Sequence, residues 1–179
     1  MIVLEIIVGL IVLAVIAAKL YLAVAGKEKV VVHTEERTPF VVESQDDTSM
    51  VLSSKVRFAN EGKQVCTIMD AIVRPQLPYE QYDAIEARGK AETEGCPRED
   101  DYFEAVLIEH QESMNVIVKV KLTARKGLDL KTALTHMVDL PLDLIYMETG
   151  RTPWHYSKVR IVLKAAEIAK LAGVTLVRD

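Results

Sequence analysis

The stretch Asn115-Val116-Ile117-Val118-Lys119-Val120-Lys121-Leu122-Thr123 decides the fold class. Val116, Val118, Val120 and Leu122 fall on one side of an extended chain, Lys119 and Lys121 on the other. A period of two marks a strand with one buried and one wet face. Just upstream, Gln111-Glu112-Ser113 has the composition of a connection, so 103–109 and 115–123 are expected to pair as a hairpin.

The same period recurs earlier in the chain. Met50, Leu52, Val56 and Phe58 face one way, and Ser53, Lys55 and Arg57 the other. Asn60-Glu61-Gly62 is turn chemistry and 65–73 is almost entirely apolar, which predicts another hairpin over 50–73. Asp70 interrupts that run, on the wet face or as a bonded buried acid. Arg74-Pro75-Gln76-Leu77-Pro78 ends it, because prolines do not fit a central ladder. Over 79–94, Ile85, Ala87, Gly89 and Ala91 alternate with Glu86, Arg88, Lys90 and Glu92. We read a strand there, the alternative being a helix begun at Pro78. Short strands are expected at Val30-Val31-Val32 and after Pro39, with a turn over 45–49.

After Gly127 the period changes. Leu130, Ala133, Leu134, Met137 and Val138 follow helical spacing behind Asp129 as N-cap, up to a stop at Pro141. Residues 142–147 read as a strand and Gly150-Arg151-Thr152-Pro153 as a turn. From Trp154, a strand to Leu163 followed by a helix over 164–172 competes with one long helix. The strand–helix division is adopted because Trp, Tyr, Val and Ile crowd the first half. Val174-Thr175-Leu176-Val177 reads as a final strand. Six to nine strands without βαβ alternation predict an α+β or mainly β fold, a single antiparallel, sandwich-like domain with one or two short helices in its last third.

The N-terminus differs from all of this. From Ile6 to Ala18 no side chain is polar, and Glu5 and Lys19 are the only charges between Ile2 and Ala25. As a helix the segment would be roughly 36 Å long, against a hydrocarbon core of about 30 Å. Glu5 and Lys19 stand at opposite ends, where long side chains reach the interfaces, and Tyr21 suits an interfacial position. We read a single-pass anchor over 2–25, juxtamembrane linker and short strands over 26–48, and a β-rich soluble domain over 49–179. Cleavage after Ala23-Val24-Ala25 and a buried core helix are the alternatives. Lys19, Lys27 and Lys29 follow the span, which favours the domain on the cytoplasmic side over the extracytoplasmic one.

The net charge is −4 and no basic stripe occurs, so nucleic acid is not an expected partner. His33, His110, His136 and His155 are scattered, and Cys66 and Cys96 are not in a CxxC pair, so neither metal nor cofactor is expected. Glu99-Asp100-Asp101 beside Arg98 reads as solvated turn charge. No phosphate-binding glycine loop or nucleophile elbow appears, and no small-molecule substrate is indicated. The weakest-founded enzyme reading would use Asp139, Asp143 and His136. Cys66 and Cys96 form a candidate redox thiol pair. The densest aromatic–polar cluster, Arg151, Trp154, His155 and Tyr156, and the Pro75–Tyr79 loop with Leu77 and Tyr79, are candidate contact surfaces. The expectation is a non-catalytic interaction or structural module, held at the bilayer through 2–25 and bound to another protein.

Overall fold

The computed structural model describes residues 2–80, 82–97, 99–100 and 102–177. Helix α1 spans Ile2–Ala25, and none of its residues is buried against the rest of the chain. Nine strands follow: β1 Val30–His33, β2 Val41–Gln45, β3 Ser49–Asn60, β4 Cys66–Pro75, β5 Ile85–Thr93, β6 Val106–Ile108, β7 Ser113–Ala124, β8 Leu140–Thr149 and β9 His155–Leu163. Helix α2, Leu130–Leu134, precedes β8, and α3, Ala165–Ala172, follows β9.

All strand pairs are antiparallel and form two sheets. Sheet A has the order β1-β3-β7-β5, with β2 also paired to β3; sheet B has the order β6-β4-β8-β9. β1 takes the Arg57–Asn60 end of β3 and β2 takes the Met50–Ser53 end. Between them Thr38 continues the edge by bonding Lys55 and Ser54. The short strands expected before residue 49 therefore both belong to the sandwich.

The core lies between the sheets. Met50, Leu52, Val56 and Phe58 of β3 and Val116, Val118, Val120 and Leu122 of β7 are fully buried, as their alternation predicts. Sheet B answers with Cys66, Ile68, Leu140, Leu142, Leu144, Tyr146, Ile161 and Leu163. Phe58 meets Tyr146 edge-on across the gap at 5.0 Å between centroids. The sheets approach closely where β5 passes β4: a Cβ on Gly89 would strike the Val73 carbonyl oxygen and side chain. Glycine in a strand interior here marks a close approach.

Neither expected hairpin forms. β3 is in sheet A and β4 in sheet B, so 50–73 is a crossover between layers. Likewise β6 pairs β4 while β7 pairs β3 and β5. Two one-sided strands bury their apolar rows whether they lie side by side or face each other across a core, and alternation does not tell these apart. The hairpins that do form are β2–β3 and β8–β9. The unbroken apolar run of β4 has a local cause. A bulge between Met69 and Ile72 shifts the inward phase from Cys66 and Ile68 to Ala71 and Val73. Asp70 sits in the bulge, exposed, with φ 51°.

The strand over 85–93 and the strand–helix division at Leu163 are as expected. Two elements fall short. α2 is capped by Asp129 but ends at Leu134, where Thr135 turns its hydroxyl back to the Thr132 carbonyl, well before Pro141. Residues 174–177 form no strand; Val174 and Leu176 pack on the core, and the Val177 N–H bonds the Thr135 carbonyl.

Candidate functional sites: the helix exit and the outer face of sheet B

Where α1 enters the sandwich, the backbone is held on every side. Gly26 takes φ 69°, the left-handed conformation that commonly ends a helix. The carbonyls freed there are claimed by side chains of the domain. Lys63 Nζ donates to Val24 O (3.3 Å), Gln64 Nε2 to Ala25 O (2.8 Å) and Arg151 Nη1 to Gly26 O (2.9 Å). Lys63 and Arg151 also place positive charge at the negative end of the helix dipole. Next, Glu28 accepts from the backbone N–H groups of Arg151 (2.9 Å) and Thr152 (2.7 Å). Burial pushes the Glu28 carboxyl up, but these hydrogen bonds outweigh it and hold it below its ordinary value.

Asn60 is the corner of this arrangement and 1% exposed. Its amide nitrogen donates to Gln64 O (2.7 Å) and Ile108 O (3.0 Å). Its amide oxygen accepts from Gly62 N (3.0 Å) and Lys29 N (3.2 Å). All four hydrogen-bonding positions of the side chain are thus in use, tying sheet A, sheet B and the helix exit together. Gly62 lies so close to the backbone of residues 27–29 that a Cβ would strike it. From the sequence, Asn60-Glu61-Gly62 read only as a turn; the signal for more was the amide itself, a side chain that can donate twice and accept twice.

The predicted site residues separate. Arg151, Trp154, His155 and Tyr156 do come together, on the β8–β9 hairpin whose tip clamps the helix exit. Trp154 and Tyr156 are 65% and 63% exposed and meet edge-on at 6.3 Å. His155 Nε2 lies 2.9 Å from Glu148 Oε1, which also accepts from Ser157. Leu77 is not a surface residue: it is buried in the core, since the 75–79 segment folds inward as Gln76 N bonds Pro141 O. Tyr79 stays half-exposed, its hydroxyl accepting from Ala87 N and its ring under the Arg125 guanidinium at 6.0 Å.

Asp139 and Asp143 do not form an acid–base pair. Asp139 accepts from Lys164 Nζ and from Ala165 N at the start of α3. Asp143 takes Arg160 in two hydrogen bonds of 2.7 and 3.0 Å. The Lys164 contact holds the first carboxyl, and the Arg160 contact the second, below its ordinary value. His136 is exposed. Cys66 and Cys96 are free thiols, one buried in β4 and one exposed before β6. Burial, with Glu148 and Glu28 nearby, pushes Cys66 up to about 11, so it is a poor nucleophile near neutrality. Of the acidic knot, Glu99 and Asp100 are exposed; Asp101 and its neighbour Arg98 lie outside the described residues.

The second site lay hidden in the sequence. Register places Met69, Met147 and Tyr156 in one row on the outer face of sheet B, then Ile72, Ile145 and Lys158, then Arg74, Asp143 and Arg160. Leu107 flanks Thr67 at the β6 edge. Ile72 is 52% and Leu107 65% exposed, with Met69, Ile145 and Met147 half-buried between. An apolar strip thus runs across the sheet, edged in basic residues at one end. Contiguous exposed apolar surface of this kind marks contact sites.

No protein-family model matches the chain, and no curated protein matches it. Among solved structures it is similar to the GAE domain of GGA2p from Saccharomyces cerevisiae, at 8% identity over 77% of this chain and 98% of that one, TM-score 0.36. The yeast GGA1 GAE domain is similar at 6% identity over 72% and 98%, TM-score 0.32. At those values the likenesses carry no argument about what this chain does.

Proposed function

We propose that the chain is a single-pass, membrane-anchored interaction module with no chemistry of its own, which binds a protein segment on the outer face of sheet B. One observation carries the contact: the strip of Met69, Ile72, Leu107, Ile145, Met147 and Tyr156 is apolar and uncovered, while the outer face of sheet A is laced with ion pairs. The ligand chemistry follows from the border. Apolar side chains would fill the strip, and acidic residues would meet Arg74, Lys158 and Arg160. The anchor is supported by α1 itself, an apolar helix with no buried residue, which water does not tolerate in isolation. Fixing a domain to a surface raises its effective concentration towards other membrane-bound proteins.

The test is site-specific photocrosslinking in native membranes, with the probe at position 107 on sheet B or at position 121 on sheet A. A protein adduct from 107 and none from 121, lost when Ile72→Glu is added to the probe-bearing chain, is the expected result. Equal labelling from both faces would remove the proposal. Sidedness is read separately. The proposed cytoplasmic placement rests on Lys19, Lys27 and Lys29. In sealed cells a membrane-impermeant maleimide should then leave exposed Cys96 unmodified until the membrane is opened, with buried Cys66 silent throughout.

A further inference from the structure

We propose that the β8–β9 hairpin is a second membrane contact: Trp154 sits among lipid headgroups beside the end of α1, locking the sandwich upright on the bilayer. The inference rests on the anchor reading above. Its geometric basis is the clamp. Arg151 bonds the carbonyl of Gly26, and Thr152 bonds Glu28, so the hairpin tip is fixed at the level where the helix ends. Two further residues of extended chain reach about 7 Å at most. The polar layer of each leaflet is about 5–7 Å thick. Trp154 is therefore within reach of that layer once α1 is inserted.

Its chemistry suits the place. An indole with most of its surface uncovered gains from an environment apolar on one side and wet on the other, which is what the interface offers. Tyr156, edge-on to it, extends the aromatic surface away from the helix. Lys27 and Lys63 are exposed around the same exit and Arg151 stands on the hairpin tip that clamps it, so anionic headgroups meet positive charge there. The rigid exit gives the contact its consequence. A flexible tether would let the domain tumble, whereas bonds at Asn60, Glu28 and Arg151 fix which face of the sandwich looks along the membrane.

Trp154 is the chain's one tryptophan, so it reports on itself. The full chain is reconstituted into vesicles of phosphatidylcholine with phosphatidylglycerol, and flotation is measured first. In floated vesicles the expected result is blue-shifted emission, stronger quenching by lipid brominated near the carbonyl than by lipid brominated at the chain end, and weak quenching by iodide. Flotation with emission at the position of water-exposed indole and full iodide quenching would overturn the inference and leave the anchor standing. Failure to float would overturn both. Protection from iodide and from brominated lipid alike would mean that protein covers Trp154, and would also overturn it. A Trp154→Phe, Ile72→Trp chain serves as the internal comparison. Its indole, farther up sheet B, should stay open to iodide in the same vesicles; bromine quenching there would lay the whole face on lipid and remove the protein-contact proposal instead.

Discussion

The two outer faces of this sandwich are built from the same kind of strand and end with opposite surfaces. On sheet A, Lys119 lies between Glu92 (2.7 Å) and Glu43 (3.1 Å), and Lys90 reaches Glu92 (3.0 Å). Glu94 takes Lys55 and Asn115. The charges of Lys55, Lys90, Glu92, Glu94 and Lys119 are thus answered by neighbours within a strand or across the sheet. On sheet B the corresponding positions are Met69, Ile72, Ile145 and Met147, and among the described residues the ion pairs of this face gather at Asp143, with Arg160 and Lys158. What the difference teaches is that solvent exposure alone does not dictate polarity. One face has been closed by ion pairs, and the other left with apolar side chains in contact with solvent.

Breaking the frame that holds both faces should have the largest effect. Asn60→Ala leaves four backbone groups of a buried corner without their partner, and unfolding of the full chain in nanodiscs should become easier by about 3 kcal/mol. Gly89→Val drives a side chain into Val73 where the layers touch, and should cost about 2–3 kcal/mol by urea denaturation. Lys119→Met removes the centre of the sheet A network, leaving the largely buried Glu92 with Lys90 alone; a loss of about 1–2 kcal/mol is expected.

The same network predicts a pH signature. Burial raises Glu92, but hydrogen bonds from Lys119 and Lys90 outweigh it and hold the carboxyl below its ordinary value. A group lowered in the folded state adds stability above its unfolded pKa and loses it as pH falls through the folded one. The gap between the parent chain and Glu92→Gln, full at neutral pH, should therefore close below roughly pH 4. Denaturation midpoints across an acid series measure it; a gap that is constant down the series would show that Glu92 is held by packing instead. The smallest effect on stability belongs to the open face. Ile72→Glu should change unfolding by less than about 0.5 kcal/mol, being half in water already, while abolishing the photocrosslink described above. Large destabilisation by this substitution would mean that the strip is structural.

Much of this was legible in the residues. Alternation located β3, β5 and β7 and named the buried rows of β3 and β7; Asp129 marked a helix start. The β4 run offered no phase to read, because the bulge at Asp70 puts apolar residues in both. Trp154 and its neighbours were visible as a cluster, yet their position at the helix exit was not, since the bonds to Gly26 and Glu28 span more than 120 residues. Leu77 shows the converse error: between two prolines it resembled a loop tip, and the chain turned inward.

By itself, then, the sequence determined the character of most segments: an apolar N-terminal stretch, six to nine extended ones, and for several of them which side avoids water. Those are short-range properties, set by side-chain period and by backbone preference. Only the tertiary structure decided which strand lies beside which, and with it the corner at Asn60, the clamp on the helix exit and the strip on sheet B. Each of these is a coincidence of residues from distant strands, and pairing register is a property of two chains at once.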